Sequence, residues 1–273
     1  MLELLQATTV PDTNTIRRAE DGLTSLYPAN DFPLALLNIT SHNEVNIGSR
    51  KAALTTLRKY VESTWSPNFE EAAYSQIRLP EEIKAQVRAR ILEICTSTEI
   101  ASNDGQGLAA SVVSKIASAD FPDQWPDLFP RLVSVLNAQA SDTATMGSLR
   151  VLYELVDSGL SDEQFFAVAS DLVNALQQAT MTGQRGAVVQ AMALKVLSSC
   201  LDNLEQVLET EHAPAVKVFL NESVKSWMPY FTSVLRQSLP ELSQDVTGQG
   251  TVGIQRAWKG DVAVKIQVVQ VSS

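Results

Sequence analysis

The chain has 273 residues, a hydrophobic fraction of 45% and a formal net charge of -10 at pH 7. This composition is typical of a globular protein with a large core. The negative charge argues against direct binding to nucleic acid or to an anionic membrane surface, because both attract clustered lysine and arginine.

The two cysteines and two histidines are placed like structural residues. Cys95 and Cys200 both fall on the apolar stripe of a helical pattern, which favours small buried side chains over nucleophiles. His42 and His212 lie in polar stretches, with no second histidine or cysteine at metal-ligand spacing. We therefore expect no metal site, no cofactor and no histidine-dependent catalysis.

The start of the chain does not resemble a targeting segment. Glu3 stands where a signal peptide needs positive charge, and no apolar run is expected to reach the length of a membrane span. With so few cysteines, these features predict a soluble protein of a reducing, intracellular compartment.

Apolar residues recur every three to four positions along the first half of the chain, which predicts helices. Asp12 is a candidate N-cap for a helix that stops at Tyr27-Pro28, and Leu79-Pro80-Glu81-Glu82 is typical of a helix start. The turn Asp120–Pro126 contains two prolines and is interpreted as fold-determining. The helices predicted here span about 12–26, 31–40, 45–65, 80–97, 108–116 and 128–136.

The second half of the chain continues the same pattern. Helices are predicted near 144–158, 161–179, 185–208 and 213–237, each bounded by Ser-Asp, glycine or proline. The segment 261–271 is ambiguous, because its β-branched residues alternate as in a strand but also fit one helix face. Helix is preferred since no second strand is predicted to pair with it, and strand remains the alternative.

A series of about ten consecutive helices joined by short loops predicts an all-α fold. Antiparallel helix pairs repeating at about 40–47 residues are typical of HEAT and armadillo arrays. We therefore predict a right-handed α-solenoid of tandem HEAT repeats over residues 1–273. The last predicted helix lacks a cap and carries an apolar face, so we expect the chain to be the front piece of a longer protein.

Five stretches follow one another in chain order: Arg17–Leu23, Phe32–Leu37, Arg50–Trp65, Glu82–Leu92 and Ile116–Leu128. Together they resemble the importin-β (karyopherin-β) family, whose N-terminal, Ran-binding domain is similar to residues 12–136. The resemblance has one departure: Lys59-Tyr60 stands where the family often has Lys-Asn. A later stretch, Trp258-Lys259-Gly260-Asp261, resembles a repeat of the importins that carry core histones.

The resemblance implies a nuclear import receptor without enzymatic activity. Its front repeats would bind Ran-GTP on their inner helices, and cargo release would be coupled to Ran-GTP. The implied partners are Ran-GTP, protein cargo and the FG repeats of nuclear pores, and the implied state is a monomer that shuttles between cytoplasm and nucleus. Lys84 and Arg88 lie one turn apart on the helix predicted over 80–97, away from its apolar stripe, and are the candidate Ran contacts.

The negative charge is concentrated in the later repeats. Residues 120–273 contain 17 acidic and 10 basic residues, a net of -7. Such a surface would attract a basic cargo, with core histones as the candidate, at a rate that falls with salt. The candidate contacts are Asp202, Glu205, Glu209 and Glu211, which have no basic residue among them; a simply solvated helix end is the alternative for each.

Two other functions compete with transport. A HEAT-repeat scaffold or chaperone for basic proteins would use the same surfaces without any dependence on Ran. An enzyme is disfavoured, because neither Gly105-Gln106-Gly107 nor Gly248-Gln249-Gly250 is followed by the Lys-Ser/Thr pair of a phosphate-binding loop. Paired acids such as Glu81-Glu82 stand at helix starts, where capping explains them.

Overall fold

The computed structural model describes residues 1–74, 76–96, 103–137, 140–181, 185–206, 213–237 and 249–271. The chain divides into two compact units, Met1–Pro126 and Asp127–Ser273. Every regular element in the described residues is helical.

The described residues of the first unit form six helices: α1 (Leu2–Ala7), α2 (Thr13–Thr24), α3 (Phe32–Ser41), α4 (Ile47–Thr64), α5 (Glu81–Thr96) and α6 (Asn103–Asp120). α3 packs against both α4 and α5, and α4 also packs against α6. α1 packs on both α2 and α4.

In the second unit the described segments form six further helices: α7 (Leu128–Asn137), α8 (Asp142–Glu154), α9 (Asp162–Met181), α10 (Ala187–Gln206), α11 (Ala213–Arg236) and α12 (Gln249–Val271). One layer is formed by contacts of α8 with α10 and of α10 with α12, and the other by contacts of α7 with α9 and of α9 with α11. A π-helical turn, Leu155–Gly159, follows α8.

Two layers of alternating helices explain why nearly every helix has a wide apolar face. A helix that contacts both its successor and the helix after it needs more buried surface than one packed on a single side. The predicted all-α fold is confirmed, and the ambiguous segment 261–271 is helical within α12. The short helix α1 was not predicted, because six residues give too little periodicity to identify it.

The start of α2 follows directly from one side chain. The carboxylate of Asp12 accepts a hydrogen bond from the main-chain N–H of Thr15 at 2.8 Å. The pKa of Asp12 is lowered, chiefly by hydrogen bonds from the hydroxyl and the amide of Thr15. Asp12 is therefore the N-cap that the sequence predicts.

An aromatic cluster joins α2, α3 and α4 in the first unit. The rings of Tyr27 and Tyr60 are 5.1 Å apart and nearly perpendicular, and Phe32 lies 5.4 Å from both. Tyr74, from the connection between α4 and α5, adds a fourth ring 5.5 Å from Tyr27. Tyr60, the departure from the family pattern, is thus a fully buried core residue.

One segment departs from the expectation that no apolar run reaches membrane length. Ala187–Glu205 is long and apolar enough to cross a membrane, judged by length and composition alone. It forms most of α10, which packs against α8, α9 and α12 in the second unit. Its apolar residues Val189, Leu194 and Leu197 are buried by those helices, which accounts for the composition.

Tyr27→Phe tests the contribution of the buried phenol to alkaline stability. Burial raises the pKa of Tyr27 to about 12, whereas an unfolded tyrosine ionises near pH ~10. Between those values the unfolded chain binds fewer protons than the native one, so native stability falls as pH rises. We expect the free energy of unfolding, measured by urea unfolding, to fall less in Tyr27→Phe than in the wild-type protein between about pH 9 and about pH 11.5. An equal fall in both proteins would contradict this assignment.

Candidate functional site

A buried ion pair lies where the start of α5 meets the end of α6. Nη1 of Arg88 is 2.6 Å from Oδ2 of Asp120, and the two side chains are only 9% and 7% exposed. The second terminal nitrogen of Arg88 bonds the carboxylate of Glu81, one face of which remains in solvent. Burial by itself would lower the pKa of Arg88, but the hydrogen bonds that its guanidinium donates to Glu81 and Asp120 outweigh burial and raise that pKa.

The end of α4 is bound to the same pair. Nε1 of Trp65 donates to Oδ1 of Asp120 at 3.1 Å, so both carboxylate oxygens of Asp120 have partners. Nζ of Lys84 donates to the main-chain oxygen of Trp65 at 2.9 Å and lies 5.0 Å from the centre of its ring. Arg88, Asp120, Trp65, Glu81 and Lys84 are called the interhelix polar cluster below.

The turn after α6 is also fixed by Asp120. Its main-chain oxygen accepts hydrogen bonds from the amides of Gln124 and Trp125, at 2.7 and 2.9 Å. Phe121 and Trp125 are both buried, and the Phe121-Pro122 bond is cis. The interpretation of this turn as a structural motif is thereby supported, because its two aromatic side chains are packed in the core.

The predicted position of one of the two basic candidates on α5 is wrong. The sequence places Arg88 on the outward side of the helix, but its side chain is buried and bonded to two carboxylates. Helical periodicity identifies the Val87 and Ile91 stripe, whereas the contact with the end of α6 extends the buried face of α5 to Arg88. Lys84 is half-buried and keeps its ammonium at the edge of the cluster.

The exposed face of α5 carries other residues. Glu82, Gln86 and Glu93 are exposed, and Ala85 and Ala89 lie between them, so the face is flat along its middle and acidic at both ends. Sequence reasoning singled out the basic residues of this helix instead. The signal that could have identified these five residues is their spacing of three to four positions opposite the apolar stripe.

The acidic candidates lie at the end of α10 and beyond it. Asp202 and Glu205 are exposed in the last two turns of that helix, as a charged partner surface requires. Glu209 and Glu211 lie outside the described residues. Glu222, on α11, is a further exposed acid of this unit.

Both cysteines lie in the core. Cys95 and Cys200 are free and fully buried, and burial raises the pKa of both thiols. The prediction that they are packing residues is confirmed. Within the parts of the chain that the structure describes, no group of three histidine, cysteine, aspartate or glutamate residues is placed to hold a metal ion.

Comparison with protein families matches residues 19–97 to the importin-beta N-terminal domain. Importin subunit beta-5 of Schizosaccharomyces pombe is 32% identical over 246 residues, which cover 88% of this chain and 24% of that protein. Exportin-2 of Drosophila melanogaster is 24% identical over 252 residues, covering 87% and 25% respectively. The chain therefore spans about a quarter of the length of these curated relatives.

Solved structures agree on the fold. A crystal structure of importin beta superposes with a TM-score of 0.69 at 18% identity, over 96% of this chain and 28% of that one. Kap95p in a structure with RanGDP gives a TM-score of 0.64 at 20% identity, over 96% and 27%. The fold is thus of the HEAT-repeat solenoid class, as predicted. Residues 19–97 of the chain therefore carry the importin-beta N-terminal domain.

Arg88→Met tests the interhelix polar cluster. The substitution leaves the Asp120 carboxylate buried without its cation, and we expect the first unit to lose about 3–5 kcal/mol of unfolding free energy. Arg88→Met combined with Asp120→Leu removes both charges and should lose clearly less. Arg90→Met is the matched control, because Arg90 is half-buried and bonded to the Asn38 amide oxygen rather than to a carboxylate.

The loss is measured by hydrogen exchange of peptides from α4, α5 and α6 across a urea series, which isolates the first unit. An equal loss in the single and the double variant would show that the ion pair itself is not what holds these helices.

Proposed function

We propose that this chain is part of a nuclear import receptor whose front repeats bind Ran-GTP and help carry a basic protein through nuclear pores. The match of residues 19–97 to the importin-beta N-terminal domain carries this proposal. The fold likeness to Kap95p in a structure with RanGDP supports a Ran partner. Cargo release would follow from mutual exclusion, a coupling free energy between two partners of one protein.

The exposed face of α5 is the proposed Ran contact in this chain. Glu82, Gln86 and Glu93 supply polar groups there, and the two alanines between them allow a close approach of a partner surface. Lys84 borders this face and stays a candidate contact. Arg88 takes a different role in the proposal: it holds α5 against α6 and so fixes the orientation of the face.

Basic protein, with core histones as the specific candidate, is the proposed cargo. The excess of acidic residues after residue 120 supports this, and Asp202 and Glu205 are the exposed candidates in the described part of α10. Like charge would keep nucleic acid and anionic membranes away. The proposal also includes contacts with FG repeats, a monomeric state, and shuttling between cytoplasm and nucleus.

A Ran-independent scaffold or chaperone for basic proteins is the competing function, and nucleotide dependence separates the two. We expect the 273-residue protein to bind Ran-GTP at least about tenfold more tightly than Ran-GDP, measured by calorimetry. Equal affinity for both forms would favour the scaffold. Because further repeats would add contacts, we also expect a longer receptor chain to bind Ran-GTP more tightly than these 273 residues.

Gln86→Trp tests the proposed Ran face. A large ring between two alanines should block close approach and weaken Ran-GTP binding by about tenfold or more. Thr55→Trp is the matched control, since Thr55 is also exposed at mid-helix but lies on α4. Lys84→Met should weaken binding less. Equal effects of the two tryptophan variants would place the Ran contact elsewhere.

Asp202→Asn with Glu205→Gln tests the cargo surface. Charges at the rim of an interface act mainly on association, so we expect a roughly two- to fivefold lower association rate with core histones at low salt. The difference should shrink as ionic strength rises. The control is Glu3→Gln with Glu44→Gln, which removes the same charge from exposed sites in the first unit. Stopped-flow fluorescence gives the rates, and equal slowing by both pairs would indicate net charge alone.

A further inference from the structure

A polar cavity of about 380 Å³ lies within the second unit, where the end of α9 and the start of α10 meet α11 and α12. Its walls include the side chains of Gln190, Tyr230, Ser233, Asp261 and Lys265. The volume is in the range of small-ligand sites, and most of the wall groups can accept hydrogen bonds.

Among the described residues of the cavity wall, Lys265 is the one cation, and its ammonium is already fully hydrogen-bonded. Nζ of Lys265 donates to the main-chain oxygens of Val234 at 2.8 Å, of Leu235 at 3.4 Å and of Gln237. An ammonium has three N–H groups, and the last carbonyls of a helix are good acceptors for them. Lys265 therefore caps α11, and it forms no ion pair with Asp261 one turn before it.

Asp261 is the carboxylate of this cavity. It is half-buried on α12, and among the described side chains it has no hydrogen bond or ion pair. A partly buried carboxylate without a hydrogen-bond partner is unfavourable, so a cation that reached it would displace no existing partner of Asp261, although the Lys265 ammonium lies in the same wall.

The opposite wall adds oriented acceptors. The hydroxyl of Tyr230 donates to Oε1 of Gln190 at 3.2 Å, and Nε2 of Gln190 donates to the main-chain oxygen of Arg185 at 2.8 Å. With these donors satisfied internally, the oxygens of Tyr230 and Gln190 keep free lone pairs. A planar donor with several N–H groups can use this set together with the Asp261 carboxylate.

We propose that this cavity binds the guanidinium group of an arginine side chain presented by a basic partner protein. Guanidinium matches a carboxylate with two parallel hydrogen bonds and has further N–H groups for the Tyr230 and Gln190 oxygens. The inference rests on the proposed function, in which the partner is a basic protein. It adds a defined arginine-binding site to the diffuse acidic surface of the second unit.

The test uses the 273-residue protein and the tripeptide acetyl-Gly-Arg-Gly-amide. Its citrulline counterpart has nearly the same shape without the charge and is the matched probe. Binding is followed by the side-chain NMR signals of Gln190 and Tyr230. We expect the arginine peptide to shift both signals and Asp261→Asn to weaken its binding by about tenfold. Asp171→Asn, at an exposed acid on α9, should leave it unchanged.

A second variant guards against a folding effect of Asp261→Asn. Tyr230→Phe keeps the ring that packs 6.2 Å from Trp227 and removes only the hydroxyl; we expect roughly threefold weaker binding. Equal binding of the arginine and citrulline peptides would overturn the inference, as would equal losses in Asp261→Asn and Asp171→Asn.

Histone binding separates this inference from the proposed function. If core histones bind the wild-type protein but the arginine peptide leaves the Gln190 and Tyr230 signals unmoved, the cavity assignment is wrong and the cargo proposal stands. If the histones fail to bind while the peptide binds in an Asp261-dependent manner, the cargo proposal is wrong and the arginine site stands as a property of the fold.

Discussion

The buried pair of Arg88 and Asp120 constrains how the helices of the first unit pack. A charge that is 9% exposed is tolerated only beside its partner, so the pair fixes α5 against the end of α6. Trp65 extends the constraint to the end of α4 through its indole N–H. Three consecutive helices are thereby held at one point, and the exposed face of α5 is oriented by it.

The layered packing determines which surfaces stay open to partners. Helices such as α3, α7 and α9 each contact the next helix and the one after it, so a narrow face of such a helix remains in solvent. On α5 the exposed face carries two alanines between acidic ends, and in the second unit Asp261 lines a cavity formed by α9, α10, α11 and α12. Surfaces of this kind select partners by shape and charge.

Much of the fold could be predicted because the local signals agree with one another. Asp12 caps the helix that it was expected to begin, and Cys95 and Cys200 are buried where the apolar stripe places them. The site was less predictable. Arg88 and Glu82 look alike as charged residues outside the stripe, yet one is buried and the other exposed. Arg88 is buried because it pairs with Asp120, which is 32 positions away in the sequence.

The sequence by itself determined most of the helical segments, since the apolar period of three to four residues and the turn residues are local properties of the chain. It also determined that 261–271 had an apolar helix face, although its β-branched residues fitted a strand equally well. Only the tertiary structure decided between the two, because α12 packs on α10 and α11. The tertiary structure also decided that Arg88 is buried between α5 and α6 and that Asp261 lines a cavity. Burial of a side chain depends on helices that are distant in sequence.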